Sequence, residues 1–161
     1  MSAPALDVRL VAYTDPLVRP MLAELDREYS ARYGHSLGDL RAEALRGAEE
    51  FGPPDGGLVL LLLDGAPVAG GAFRRLDERT AELKRIWTDS GHRRRGLARR
   101  VLAELEREIA DRGYPRIYLT TGPRQPEAKA LYLAAGYTPL YDQAIPPEQV
   151  GKHPFEKELS P

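Results

Sequence analysis

Cysteine is absent from the 161 residues, which excludes disulfide bridges, thiolate zinc sites and a cysteine nucleophile. A surplus of charge is absent too: 23 lysines and arginines stand against 24 aspartates and glutamates, a formal net charge of −1. That balance argues against a surface given over to nucleic acid or anionic lipid, so neither partner is expected. The most apolar stretch, residues 58–63, falls far short of the roughly 20 residues that span a bilayer. No basic leader followed by an apolar run opens the chain, so a secretion signal is not expected and a cytoplasmic protein is. Repeats and low-complexity tracts are missing. His35 and His153 have no metal-ligand spacing with each other or with acids, and no metal is expected.

What is present suits one compact unit. A chain that is 42% hydrophobic and 29% charged is long enough for one core and short for two, so a single domain over residues 1–161 is expected. Residues 6–11 alternate apolar and polar, as in a strand. Asp15-Pro16 starts a helix carrying Leu17, Met21, Leu22, Leu25 and Tyr29, and Ser36 caps a second with Leu37, Leu40, Ala44 and Leu45. The breaker cluster 51–57 is a loop and the segment expected to be most mobile. Three strands follow: 58–63, continuously apolar as a buried strand is; 68–75, entered through an Asp64-Gly65 hairpin turn; and 81–88. A long amphipathic helix spans roughly residues 96–112, with Leu97, Val101, Leu105 and Ile109 on one stripe and Glu104 and Glu108 on the wet face. Then come a strand at 117–121, a helix at 127–135 and closing strands at 137–141 and 155–159.

Two irregularities mark where chemistry could reside. In the strand 81–88, Leu83 and Ile86 are three apart, whereas a regular strand spaces inward residues by two. A β-bulge near Lys84-Arg85 would repair the phase; alternatively, those two residues merely occupy an exposed face. Next comes Arg93-Arg-Arg-Gly-Leu-Ala98, where a strand runs through a turn into a helix. The first amides of a helix lack internal partners, and the helix dipole adds about half a positive charge there. Small residues at Gly96 and Ala98 let an anion approach that backbone. Arginines are unfavourable at a helix start unless something negative joins them, so this pattern points to a phosphate or diphosphate guest. A solvated charge run is the plainer alternative.

Arg93-Arg-Arg-Gly-Leu-Ala98 resembles the acyl-CoA diphosphate loop, Q/R-x-x-G-x-G/A, of the GCN5-related N-acetyltransferases (GNAT). Further on, Gln125-Pro-Glu-Ala-Lys-Ala-Leu-Tyr-Leu-Ala-Ala-Gly-Tyr137 is similar to that family's second signature, N-x-x-A-x-x-L-Y-x-x-x-G-F/Y. The two occur in the family's order with the expected strand between. The resemblance implies an α/β (α+β) fold: a central mixed, mostly antiparallel twisted sheet of about seven strands flanked by about four helices. It implies acetyl-CoA as co-substrate. The backbone of Ile86, Trp87 and Thr88 would pair with the pantetheine arm. Amides from Arg94 to Arg99, thus of Arg94, Arg95, Gly96, Leu97, Ala98 and Arg99, would hold the diphosphate beside Arg93. Gln125 replaces the usual asparagine and would reach the cofactor from one methylene further. Tyr132 would stand beside the thioester sulfur, and Glu82 matches a strand position where several histone acetyltransferases keep a general-base glutamate.

The activity implied is transfer of an acetyl group to a primary amine, expected to be that of a small molecule, by direct attack on the thioester. A phenol titrates near pH 10 (roughly), so Tyr132 would still hold a proton for the departing sulfur at neutrality. A non-catalytic acyl-CoA sensor and a protein or peptide acetyltransferase are the alternatives. The acceptor end is expected to involve Tyr29, Tyr33, Phe73, Arg75, Tyr141 and residues 145–148. A monomer or homodimer is expected.

Overall fold

The computed structural model describes residues 6–33, 47–123 and 125–159, without the side chains of residues 29, 32 and 33. The expected helix at 36–45, with His35, lies outside them. Seven strands form one sheet in the order β1-β2-β3-β4-β5-β7-β6. They are β1 (Leu6–Leu10), β2 (Gly57–Leu63), β3 (Ala66–Asp77), β4 (Thr80–Thr88), β5 (Arg116–Thr121), β6 (Thr138–Pro139) and β7 (His153–Glu158). The sheet is accompanied by the helices α1 (Arg19–Tyr33), α2 (Leu97–Asp111), α3 (Pro126–Ala134) and α4 (Pro147–Val150). Residues 47–50 are helical as well.

Strand β2 explains why the sheet is covered on both faces. Val59 and Leu61 join the cluster built with Val101, Leu105 and Ile109 of α2, while Leu58, Leu60 and Leu62 join Met21 on the α1 side. A continuously apolar strand has no wet face, so each face needs its own helix layer. The hairpin into β3 turns at Asp64 and Gly65, both with positive φ (51° and 86°), as a two-residue turn of the right twist requires. The breaker loop 51–57 is fastened: Arg112 Nη1 donates to the carbonyls of Pro54 (3.1 Å) and Gly56 (2.7 Å), and the Tyr114 hydroxyl to that of Asp55 (2.9 Å).

Two elements differ from the sequence reading. The strand expected at 137–141 is only Thr138–Pro139: Leu140 still donates to Pro154 O (2.9 Å), but Pro154 has no N–H to answer it and the ladder stops there. Residues 147–150 form a short helix rather than a loop, with proline in its first turn, where its missing donor costs nothing. Glu104 is also drier than expected, buried between Arg100 (3.0 Å) and Arg107 (3.2 Å).

The sheet is antiparallel except between β4 and β5. Those parallel neighbours pair only from Thr80↔Arg116 to Glu82↔Tyr118. Beyond that point they part.

Candidate active site

Where β4 and β5 part, a groove of about 950 Å³ opens between β4, the start of α2 and the inner side of α3. Its first wall follows from the bulge. Gly70 pairs with Trp87 and Ala72 with Lys84, so Arg85 and Ile86 together oppose Gly71. Arg85 takes the strain, with φ +59°, a conformation few non-glycine residues adopt. The extra residue puts Leu83 and Ile86 on one face and Trp87 on the other, as the spacing in the sequence required. Gly71 makes room: a Cβ there would lie 2.6 Å from Ile86 Cδ1 and 2.8 Å from Leu105 Cδ1. Ile86, Trp87 and Thr88 then line the groove.

The arginine loop forms its upper end. Asp89 organises the turn, accepting from the Gly91 amide (3.1 Å) and sitting 2.6 Å from His92 Nδ1. Arg94 (φ +65°) and Gly96 (φ +75°) reverse the chain into α2. The first hydrogen bond of that helix runs from Arg100 N to Gly96 O (3.2 Å), leaving the amides of Leu97, Ala98 and Arg99 without helical partners. A Cβ on Gly96 would meet nothing within 4 Å, so the space beside Gly96 at the start of the helix is open. Arg93, Arg94, Gly96, Leu97, Ala98 and Arg99 line the groove, and Arg95 does not. Arg93 is paired with Glu28 of α1. Among the described residues, Arg94, Arg95 and Arg99 have no ion pair.

Sequence reasoning does not single out Glu24, yet this residue holds the end of the groove together. Its buried carboxylate accepts from Trp87 Nε1 (3.0 Å), the Ser90 amide (2.8 Å) and the Ser90 hydroxyl (3.2 Å). One α1 residue thereby fixes the end of β4 and the start of the arginine loop. The available signal is its phase: Leu17, Met21, Glu24 and Glu28 share one helical stripe, and Met21 is fully buried. An acid on an apolar stripe needs a partner.

The opposite wall carries Gln125, Ala128, Leu131 and Tyr132. Gln125 Oε1 accepts from the Gly122 amide (2.8 Å) and closes the turn before α3. Tyr132 is 5% exposed, and its hydroxyl has no hydrogen-bond partner among the described residues. Burial pushes its phenol above the ordinary tyrosine value. The ring is held edge-on by Tyr137 (5.6 Å) and tilted against Phe155 (5.8 Å). Tyr137 is anchored in turn, its hydroxyl donating to Glu106 Oε2 (2.9 Å), whose other oxygen takes Lys157 Nζ (2.9 Å). Burial, with Glu106 alongside, drives the Tyr137 phenol up as well.

Glu82 is not among the groove-lining residues. It is buried, and Oε1 accepts from Arg74 Nε at 2.8 Å. Its link to the groove is Lys84, a lining residue whose Nζ lies 4.0 Å from Oε2. Of the residues expected at the acceptor end, Phe73 is instead fully buried in the core beneath Arg112. Alternation along β3 does not reveal that α2 covers this face. Arg75 pairs with Asp55 (3.7 Å) away from the groove. Tyr141 stands edge-on to His153 at 4.5 Å. The side chains of Tyr29 and Tyr33 lie outside the described residues.

In chemical terms, the groove offers at one end helix amides without helical partners and two arginines without an ion pair among the described residues, and a protonated phenol in its wall. Comparison with known proteins bears on the family and the fold. The sequence profile of the Acetyltransferase (GNAT) family matches residues 19–137. The chain is 36% identical over 93 residues to uncharacterized N-acetyltransferase YsnE of Bacillus subtilis, covering 54% of this chain and 62% of that one. It therefore spans less than two thirds of that relative. Among solved structures, an acetyltransferase from Thermus thermophilus superposes with a TM-score of 0.75 at 23% identity, covering 99% of this chain and 100% of that one. The PaiA N-acetyltransferase from Thermoplasma acidophilum, in complex with coenzyme A, does so at 0.70 and 16%, covering 96% and 99%. At such identities the likeness establishes the fold.

Proposed function

This chain belongs to the GNAT acetyltransferase family, and from that premise we propose that it transfers an acetyl group from acetyl-CoA to a primary amine of a small molecule by direct attack on the thioester. The observation that carries this reading is the pairing within one groove. Unpartnered amides at the start of α2 stand at one end, and the Tyr132 hydroxyl, without a partner among the described residues, stands in the wall. Amides from Arg94 to Arg99, with the side chains of Arg94 and Arg99, bind the diphosphate. The open space over Gly96 suits that guest. The backbone of Ile86, Trp87 and Thr88 aligns the pantetheine arm, and Gln125 supports it from the turn that precedes α3.

When bound, acetyl-CoA supplies an activated acyl carbon with a thiol leaving group. The amine nitrogen uses its lone pair to form the C–N bond as the C–S bond breaks. Tyr132 donates its proton to the departing sulfur. The proton lost by nitrogen goes to water. Glu82, engaged by Arg74 and separated from the groove by Lys84, takes it only through such a relay. Holding amine and thioester in line supplies much of the rate. Tyr132 adds the factor of about 10²–10⁴ typical of a positioned acid.

The test is release of free thiol from acetyl-CoA against a panel of small amines, for the wild-type chain and Tyr132→Phe. The reading expects release with at least one amine and its near loss in the variant. Tight acetyl-CoA binding without thiol release from any amine would instead identify a sensor.

A further inference from the structure

We propose that the acceptor carries a carboxylate close to its amine, as a free amino acid does, and that Lys84, Arg85, Lys152 and Thr121 form the subsite that receives it. This rests on the acetyltransferase reading above. The charge of the groove is the first observation. Its lining holds Lys84, Arg85, Arg93, Arg94, Arg99 and Lys152 against only Glu28 and Glu127. Arg93, Arg94 and Arg99 flank the start of α2, where the diphosphate is bound, and Glu28 already pairs with Arg93. Lys84, Arg85 and Lys152 belong to no part of that cradle.

Their positions converge across the gap. Carried forward from Glu82↔Tyr118, the register sets Lys84 level with Thr120 on the facing strand. Thr121 is next, and it pairs with His153, the neighbour of Lys152. Lys84, its Nζ 4.0 Å from Glu82 Oε2, and Arg85, its Nε donating to the Tyr13 hydroxyl at 3.5 Å, thus stand on the β4 lip across from Thr121 and Lys152. Arg85 occupies the bulge with its positive φ, and Lys152 has no ion pair among the described residues.

The second observation is independent of charge. Thr121 lines the groove at 7% exposure, and its Oγ1 is buried with no hydrogen-bond partner among the described residues. Beside it in the β5–β7 ladder, away from the groove lining, His153 (4% exposed) has an Nδ1 and Tyr141, edge-on to it, a hydroxyl without partners among the described residues. Buried polar groups are nearly always paired, so the Thr121 hydroxyl in the groove wall calls for a ligand oxygen. A carboxylate meets this set: it accepts from the threonine hydroxyl, from two ammonium groups and from a guanidinium. A diamine or polyamine would bring a second positive charge to a lip that is already cationic.

Thiol release should therefore be measured with the twenty common amino acids, their C-terminal amides, aliphatic diamines, and short peptides whose carboxylate is far from the amine. The expected result is an amino acid favoured over its own amide by about tenfold to a hundredfold in kcat/KM, the factor of one charge-assisted hydrogen bond. Lys152→Met and Lys84→Met should shrink that ratio by raising KM for the acid while leaving KM for the amide nearly unchanged. Calorimetry of the amino acid and its amide with coenzyme A-saturated protein should show the same order of affinity. Equal or better use of amides, diamines or peptides would overturn the carboxylate subsite while leaving acetyl transfer intact. Thiol release from no amine at all would overturn both readings.

Discussion

Tyr132 combines a packed ring with a hydroxyl that has no partner among the described residues, two properties that pull apart in most tyrosines. Packing against Tyr137 and Phe155 fixes where the oxygen points, and burial keeps its proton on. Tyr132→Phe preserves the ring, so the fold should persist while kcat falls by about 10²–10⁴ and acetyl-CoA affinity changes little. A variant within a few-fold of wild-type kcat would show that the sulfur finds its proton elsewhere. The pH profile follows from the same shift. The phenol acts in its protonated form, and a raised value extends that form to higher pH. The rate should climb as the acceptor amine loses its proton and then hold level through pH 10 or so. A descending limb below that point would assign the acid to another group.

At the scale of elements, α1 holds the anion site from behind. Glu24→Ala would strand the buried Trp87 Nε1, a cost of about 1–3 kcal/mol, and release the Ser90 amide to solvent. It should also weaken acetyl-CoA binding more than it lowers kcat, because β4 and the arginine loop lose their shared anchor. Glu24→Gln, which keeps a carbonyl acceptor, should lie between. An unchanged affinity in Glu24→Ala would make Glu24 purely a folding residue. This element also shows what is legible in the sequence. The bulge is readable because Leu83 and Ile86 break the two-residue period, and the helix start because Gly96 stops one element and begins another. Glu24 is hard to read, since Asp26, Arg27 and Glu28 surround it with ordinary surface charge. Phe73 and Arg75 are misplaced at the acceptor end, because alternation separates two faces without saying which a helix will cover. The carboxylate of Glu82 can be located in β4 but not its bond to Arg74, which depends on β3–β4 register.

At the scale of the whole molecule, two buried phenols tie the fold to pH. Both Tyr132 and Tyr137 are raised in the folded state, whereas in the unfolded chain they ionise near pH 10 (roughly). Above that value the unfolded chain binds fewer protons than the folded one, so stability falls as pH rises; below it their contribution is fully present. Denaturant midpoints should decline from about pH 10 upward, and less steeply in Tyr137→Phe. Midpoints that stay flat to pH 11 (about one unit beyond) would contradict the burial assigned to these rings.

The central claim is that the start of α2 is a diphosphate cradle, and calorimetric titration of acetyl-CoA tests it most directly when wild type is run beside Gly96→Val. Gly96 holds φ +75° under open space, so a valine there places its methyl groups where the phosphates belong, with a backbone cost of about 1–2 kcal/mol that a thermal melt can register separately. The account predicts saturable one-to-one binding by wild type and no measurable heat from the folded variant. Equal binding by both proteins, or no heat from either, would contradict it.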